Sequence, residues 1–304
     1  MGGAVALSAM TARALIIGCG YTGARLARRL IAGGAEVVGT GTAAGPRAVD
    51  PPGLRWQELD LLDDGPLELP AAADAVVYYM VSTLARNDEG KPHLPPFERC
   101  LAALARQPLR GLVYLSSTSV YGDRQGQWVD EGSPVRPASP WGRMRAELER
   151  AVWRFGAERG VPACVTRLPE IYGPGRGPVE RLRSGYVVRA PERFSNRVHV
   201  DDLVMTLDQL GRDLDPPLLL VSDDEPAPTL DVYRFAAARM GLGEDAVHLD
   251  AGEPLPKDPN RRGLVTESKR CCNRRLRRWL RQPLRYPTYR DGIMAILSAG
   301  PEPG

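Results

Sequence analysis

The sequence predicts an α/β protein: a doubly wound parallel sheet with a smaller C-terminal lobe. Three observations predict it. Short apolar runs alternate with helix-patterned stretches from Ala14 to Leu168. The first apolar run opens into a glycine-rich turn, Gly18-Cys19-Gly20-Tyr21-Thr22-Gly23, followed at once by a helical pattern. Beyond Pro169 the alternation loosens into Pro- and Gly-rich connections.

The elements follow in order. Ala14 to Ile17 is the first strand. The helix after it carries Leu26, Leu30 and Ile31 on one face, and Gly33-Gly34 stops it. Glu36 to Thr40, Leu54 to Leu59 and Asp74 to Val81 are the next three strands. A helix spans about Pro96 to Arg106, and Leu112 to Leu115 is the fifth strand. A long helix runs from Trp141 to Arg159, and Ala163 to Leu168 is the sixth strand. Right-handed crossovers and the glycine-rich first turn make this a Rossmann-type sheet. Its domain spans residues 1–170, with elements contributed by later segments, and residues 171–304 form the smaller substrate-binding lobe. In that second half, Asp201-Asp202 is the expected N-cap of a helix over Leu203 to Gly211. Leu218 to Val221 is a late strand, and Thr229 to Met240 a helix. Ala251 to Gly263 reads as a loop, and the last helices lie near Asn273–Leu280 and Thr288–Leu297.

Composition narrows the function. A chain of 304 residues can bury a sizeable core. Its net charge of +3 gives no ground for a nucleic-acid partner. The basic run Lys269 to Arg281 fits a solvated helix face better, with Arg270 a weaker phosphate ligand. No apolar run is long enough to span a membrane, and Met1 to Ala12 reads as a frayed leader, not a signal peptide. The five Cys are odd in number and lack C-x-x-C spacing, which suits free thiols in a cytoplasmic protein. No metal-ligand spacing occurs. Basic residues are nearly all Arg; Lys91, Lys257 and Lys269 are the only lysines.

Three segments carry chemistry. Glycines at Gly18, Gly20 and Gly23 let backbone approach a pyrophosphate, and the helix after them offers unpaired N–H groups. The second strand ends Thr40-Gly41-Thr42 without the acid that would bind a ribose 2′-hydroxyl, and Arg47 follows; hydroxyls and a cation favour NADP over NAD. Ser116-Ser117-Thr118-Ser119 places four hydroxyls in succession at a strand end. Each needs a partner, so an active-site edge accounts for them better than a core does.

These segments, with Val120-Tyr121-Gly122-Asp123, Gly173-Pro174-Gly175-Arg176 and Asn196-Arg197-Val198-His199-Val200-Asp201-Asp202, resemble the extended short-chain dehydrogenase/reductases. This is the NAD-dependent epimerase/dehydratase superfamily, and the resemblance is to its atypical YeeZ-like branch. It covers about Ala14 to Leu297 and implies a bound dinucleotide. By resemblance, Gly18, Gly20, Tyr21, Thr22, Gly23, Thr40, Arg47, Asp60, Ser116, Arg145 and Pro169 hold the cofactor. Thr118, Ser117 and Tyr121 are the catalytic candidates. Trp141, Tyr172, Arg176 and Arg197 are the substrate-binding candidates, whereas His199 is expected to be structural. A homodimer is a further implication.

One departure matters. The family's Tyr-x-x-x-Lys falls on Trp141 and Arg145. An indole N–H only donates, whereas a guanidinium can still hold ribose hydroxyls. A replacement proton carrier is sought among Tyr121, Asp130, Glu131 and Tyr172. Two readings stand: an NADP-dependent oxidoreductase or epimerase on a sugar-like or phosphate-bearing small molecule, and a non-catalytic dinucleotide-binding sensor or scaffold.

Overall fold

The computed structural model describes residues 12–42, 51–63, 65–81, 94–249 and 255–299. The first half alternates β1 (Arg13–Ile17), α1 (Tyr21–Ala32), β2 (Glu36–Gly41), β3 (Arg55–Glu58), β4 (Ala75–Tyr79), α2 (Leu94–Leu104) and β5 (Gly111–Ser117). A single 3-10 turn, Thr118–Tyr121, precedes β6 (Trp128–Val129), α3 (Pro140–Arg159), β7 (Ala163–Leu168) and β8 (Glu170–Tyr172). Then come α4 (Pro178–Arg183), β9 (Phe194–Ser195), β10 (Arg197–His199), α5 (Val200–Asp213) and β11 (Leu218–Leu220). The chain ends with β12 (Ala227–Pro228), α6 (Thr229–Arg239), α7 (Pro259–Thr266), β13 (Arg270–Cys271), α8 (Arg274–Trp279) and α9 (Tyr289–Ala299).

Seven strands form one sheet in the order β11-β7-β5-β4-β1-β2-β3, every pair parallel. Parallel strands need crossovers, and crossover helices bury both faces. The sequence of β4, Ala-Val-Val-Tyr-Tyr, is accordingly buried at every position. On one face Leu26 of α1 and Leu203, Leu207 and Leu210 of α5 pack on Ile16, Val76 and Val113. On the other, Phe97 and Leu101 of α2 and Leu148 and Val152 of α3 pack on Leu15, Val77 and Leu112. A third apolar cluster holds the second lobe together, with Val179 and Leu182 of α4, Val232 and Tyr233 of α6 and Ile293 of α9. The chain crosses between these regions more than once, because α5 and β11 return to the sheet after β8–β10 have entered the lobe.

Two local expectations differ from the structure. Helix α5 begins two residues before Asp202 and is capped by His199, whose Nδ1 accepts from Asp201 N at 3.2 Å. Asp202 instead accepts from the backbone N–H groups of Arg285 and Tyr286 at 2.7 and 2.9 Å. Residues 259–266, within and beyond the stretch read as a loop, form α7, because Asp258 caps Asn260 N and Pro259 sits in the first turn. Arg47 and residues 1–11 lie outside the described residues. Among the described residues, no helix is long and apolar enough to cross a membrane.

Candidate functional site

The strand order reverses between β1 and β4, and a cleft of about 1020 Å³ opens at the carboxyl ends of the strands there. Its near half is made by the turn between β1 and α1. Gly18 has φ +86, and a Cβ there would stand 2.8 Å from Val81 N. Only glycine fits that position. Gly20 is the N-cap of α1 with no side-chain cap, and nothing lies within 4 Å of where its Cβ would be. The helix thus offers uncapped N–H groups to an open space, an arrangement that suits phosphate. Thr40 is buried, lines the cleft, and its Oγ1 has no hydrogen-bond partner among the described residues. Asp60 lines the cleft too, with Oδ1 accepting from Leu62 N at 3.0 Å. Tyr21 ties this half to the next: its hydroxyl donates to Pro174 O at 2.9 Å, and Arg176 lies over its ring. A bare helix N-terminus, a glycine cradle and an orphaned buried hydroxyl together fit a dinucleotide. Gly18, Gly20, Thr22, Gly23, Thr40, Asp60 and Pro169 line the cleft and are the residues that could hold it.

The centre of the cleft is the hydroxyl cluster. Ser116, Ser117, Thr118 and Ser119 all line it. Ser116 Oγ donates to Glu149 Oε1 at 2.6 Å, and Glu149 in turn meets Arg167 through bonds of 3.1 and 2.8 Å. All three residues are buried, and of them Ser116 alone lines the cleft. Ser117 Oγ accepts from Ser119 N at 3.2 Å and caps the 3-10 turn that presents Thr118. Trp141 and Arg145 project from the first turns of α3 into the cleft. Ser139 caps that helix by accepting from Gly142 N at 3.1 Å. Burial pushes the Tyr114 phenol up to about 12, against the nearby Arg145 guanidinium, which lowers it.

The far half is cationic. Arg176, Arg181, Arg189 and Arg193 line it. Glu170 pairs with Arg181 at 2.6 Å and with Arg197 at 3.2 Å. Burial pushes the Glu170 carboxyl up, but Arg197, Arg181, Arg193 and Arg176 outweigh it and hold it below the usual range. Burial lowers the Arg193 pKa, with Arg197 adding to the effect. Glu267 and Lys269 also line the cleft and form a 2.9 Å ion pair, each side chain less than a tenth exposed.

Several expected residues do not reach the cleft. Tyr121 is fully buried, its hydroxyl donates to Asp130 O at 2.8 Å, and burial pushes its pKa far up. Asp130 turns its carboxylate onto Gly132 N and Ser133 Oγ. Glu131 Oε1 accepts from Leu220 N at 2.9 Å. Tyr172 lies inside the second lobe, edge-on to His199, with its pKa also raised by burial. None of the four expected proton carriers faces the cleft. Arg197 is buried against Glu170 and Ser195, so it supports the site from below instead of meeting a ligand. Sequence reasoning also missed Glu267, Arg181, Arg189, Arg193 and Asn260, whose Oδ1 accepts from Trp141 N at 2.8 Å. Among the described residues, no group of His, Cys, Asp or Glu is arranged to hold a metal ion.

Residues 14–207 match the model of the NAD dependent epimerase/dehydratase family. The chain belongs to that family. Protein YeeZ of Escherichia coli K12 is 31% identical over 196 residues, covering 62% of this chain and 69% of that protein. A structure of a conserved protein of unknown function from Silicibacter pomeroyi DSS is 32% identical, with a TM-score of 0.77, covering 95% of this chain and 99% of that one. The fold also matches TunA, an NAD-dependent NDP-hexosamine 5,6-dehydratase of tunicamycin biosynthesis, at a TM-score of 0.76 and 23% identity, over 95% and 97% of the two chains. The matched residues include the glycine-rich turn, the hydroxyl cluster and α3.

Proposed function

We propose that this family member is an NADP-preferring oxidoreductase or epimerase acting on a sugar-like, phosphate-bearing small molecule. One observation carries the reading: a single cleft joins the glycine-rich turn to Thr118, Trp141 and the arginines of the far half. Four guanidiniums line that half, Arg197 lies beneath it, and Glu170 is paired with two of the five. Guanidinium forks match phosphate oxygens geometrically, so a half-cleft lined by four of them favours an anionic ligand. The preference for NADP is supported by Thr40 and Thr42, which bring hydroxyls and no carboxylate to the end of β2.

A nicotinamide dinucleotide, when bound, supplies the hydride acceptor or donor. The chain's own groups do the rest. Thr118 donates to the substrate oxygen at the reacting carbon. Trp141 supplies an N–H and an apolar wall but moves no proton. Arg145 keeps the binding part of the family lysine's role.

The test is a screen of nucleotide sugars and carbonyl compounds against NADP+ and NADPH. Turnover that disappears in Thr118→Ala supports the assignment, and turnover undiminished in that variant refutes the site. Trp141 favours a second reading, a dinucleotide-binding sensor or scaffold. Activity arising only when Trp141→Tyr and Arg145→Lys are combined, from a silent parent, would select it.

A further inference from the structure

We propose that Glu267 carries the proton that the missing phenol would carry, with Lys269 as the residue that positions its carboxylate. The inference rests on the oxidoreductase reading above. Its starting point is an orphan: Glu267 is 7% exposed and lines the cleft, and its Oε1 has no hydrogen-bond partner among the described residues. Oε2 is occupied by Lys269 Nζ at 2.9 Å. A buried carboxylate oxygen without a partner is costly, and such oxygens persist where a ligand completes them.

A methyl group built on Gly263 would stand 3.2 Å from Glu267 Oε1 and 3.3 Å from Ser139 Cβ. Ser139 caps the helix that carries Trp141. The carboxylate and the start of α3 therefore meet across Gly263, and Glu267 and Trp141 both line the cleft. Its backbone is fixed on three sides. Ser268 N donates to Asp123 Oδ1, and Ser268 O accepts from Arg124 N and Gly126 N, just beyond the turn presenting Thr118. Asn196 grips Lys269 O and Cys271 N at 2.9 and 2.7 Å. Such fixing removes the reorganisation a mobile acid would need.

Residue choice agrees. The chain holds 40 Lys and Arg in all, yet Lys91, Lys257 and Lys269 are the only lysines. Arginine is used almost everywhere a surface cation suffices, while a compact ammonium stands against Glu267. An ammonium occupies one carboxylate oxygen as a point charge, whereas a guanidinium fork tends to take both. Lysine thus leaves Oε1 without a partner among the described residues.

The proton balance is simple. As a substrate hydroxyl becomes a carbonyl, its O–H bond breaks and the proton passes to Glu267 Oε1. The C–H electron pair leaves as hydride to the nicotinamide dinucleotide named above, and the reverse reaction returns both. Thr118 holds the substrate oxygen meanwhile.

The full chain is assayed with NADP+ and UDP-glucose or UDP-galactose, and with NADPH and diacetyl. Glu267→Gln is expected to lower kcat by ~100-fold or more, the scale of a lost general acid–base, with KM and NADPH affinity near those of the parent. In Glu267→Ala, whose truncation leaves room for it, added formate restores part of the lost rate, which a structural role would not allow. If Glu267→Gln fails to fold, Glu267→Asp decides: it keeps the charge but withdraws it by one methylene, and kcat is expected to fall by ~10-fold. In protein labelled with [13Cδ]glutamate, the carboxyl resonance absent from Glu267→Gln is expected to shift in Lys269→Met. Parent-level turnover in Glu267→Gln or Glu267→Asp, or a resonance indifferent to Lys269→Met, overturns the proton carrier and leaves the oxidoreductase reading standing. No turnover by the parent with any of these substrates overturns that reading and the carrier with it.

Discussion

Glu149 and Arg167 form a buried ion pair under Ser116, and replacing one partner is expected to cost far more than replacing both. Their side chains are 1% and 2% exposed, and two hydrogen bonds of 3.1 and 2.8 Å join them. Arg167 has little else: its Nη1 lacks a hydrogen-bond partner among the described residues, and the Tyr121 ring lies 4.8 Å from its guanidinium carbon. Glu149→Gln keeps an acceptor for Ser116 but turns an NH2 toward the guanidinium and removes its counter-charge. Leaving a buried charge uncompensated costs about 3–5 kcal/mol, a large share of a typical folding stability of about 5–15 kcal/mol. Glu149→Met with Arg167→Met removes both charges and fills similar volume, so it is expected to cost about 2 kcal/mol or less. Urea unfolding followed by circular dichroism reads both values, with the m-value held constant between variants. A loss below about 1 kcal/mol in Glu149→Gln, or a double variant less stable than the single one, would refute the reasoning.

Other outcomes follow from single positions. Gly20→Ala is expected to fold normally and lose dinucleotide affinity by ~10-fold or more, because its Cβ meets only the space kept for the ligand. Gly18→Ala is expected to lose about 1–3 kcal/mol of stability as well, since its Cβ meets Val81 N at φ +86; thermal melts and calorimetry on the two variants separate these effects. Burial holds the His199 pKa down at about 4, from an ordinary 6.5, with Asp201 opposing and Arg285 and Arg25 assisting. The unfolded chain takes up that proton before the folded one does, so stability falls as pH drops through that window, by about 3 kcal/mol for this group alone. His199→Asn keeps a cap for α5 and is expected to flatten that part of the pH–stability curve; an unchanged slope would show that His199 is not the group responsible. Thr118→Ala is expected to abolish turnover while NADPH affinity, read by fluorescence titration, stays within about twofold.

The sheet and the glycine-rich half of the cleft were legible in the sequence because their signals are local. Strand runs, the Gly18–Gly23 turn and the hydroxyls of Ser116 to Ser119 each lie within a few residues. The misplacements are failures of partner knowledge. Tyr121 and Tyr172 sit in motif positions that suggest chemistry, yet their surroundings bury them, and nothing local shows that Asp130 O or Thr288 O waits for the hydroxyl. Arg197 finds Glu170 through the pairing of β10 with β8. Glu267 and Lys269 reach the cleft only because β13 pairs with β6 and lays the strap 267–269 along the loop after Thr118. One local sign existed, the scarcity of lysine, and its meaning needed the fold.

The central claim is that this cleft takes a nicotinamide dinucleotide carrying a 2′-phosphate. Isothermal titration calorimetry of the full chain with NADPH and with NADH tests it most directly. Dissociation constants on the order of micromolar are expected for NADPH and weaker binding for NADH, with both affinities lowered by ~10-fold or more in Gly20→Ala. Heat of binding absent for both nucleotides, or an affinity unchanged by Gly20→Ala, would contradict it.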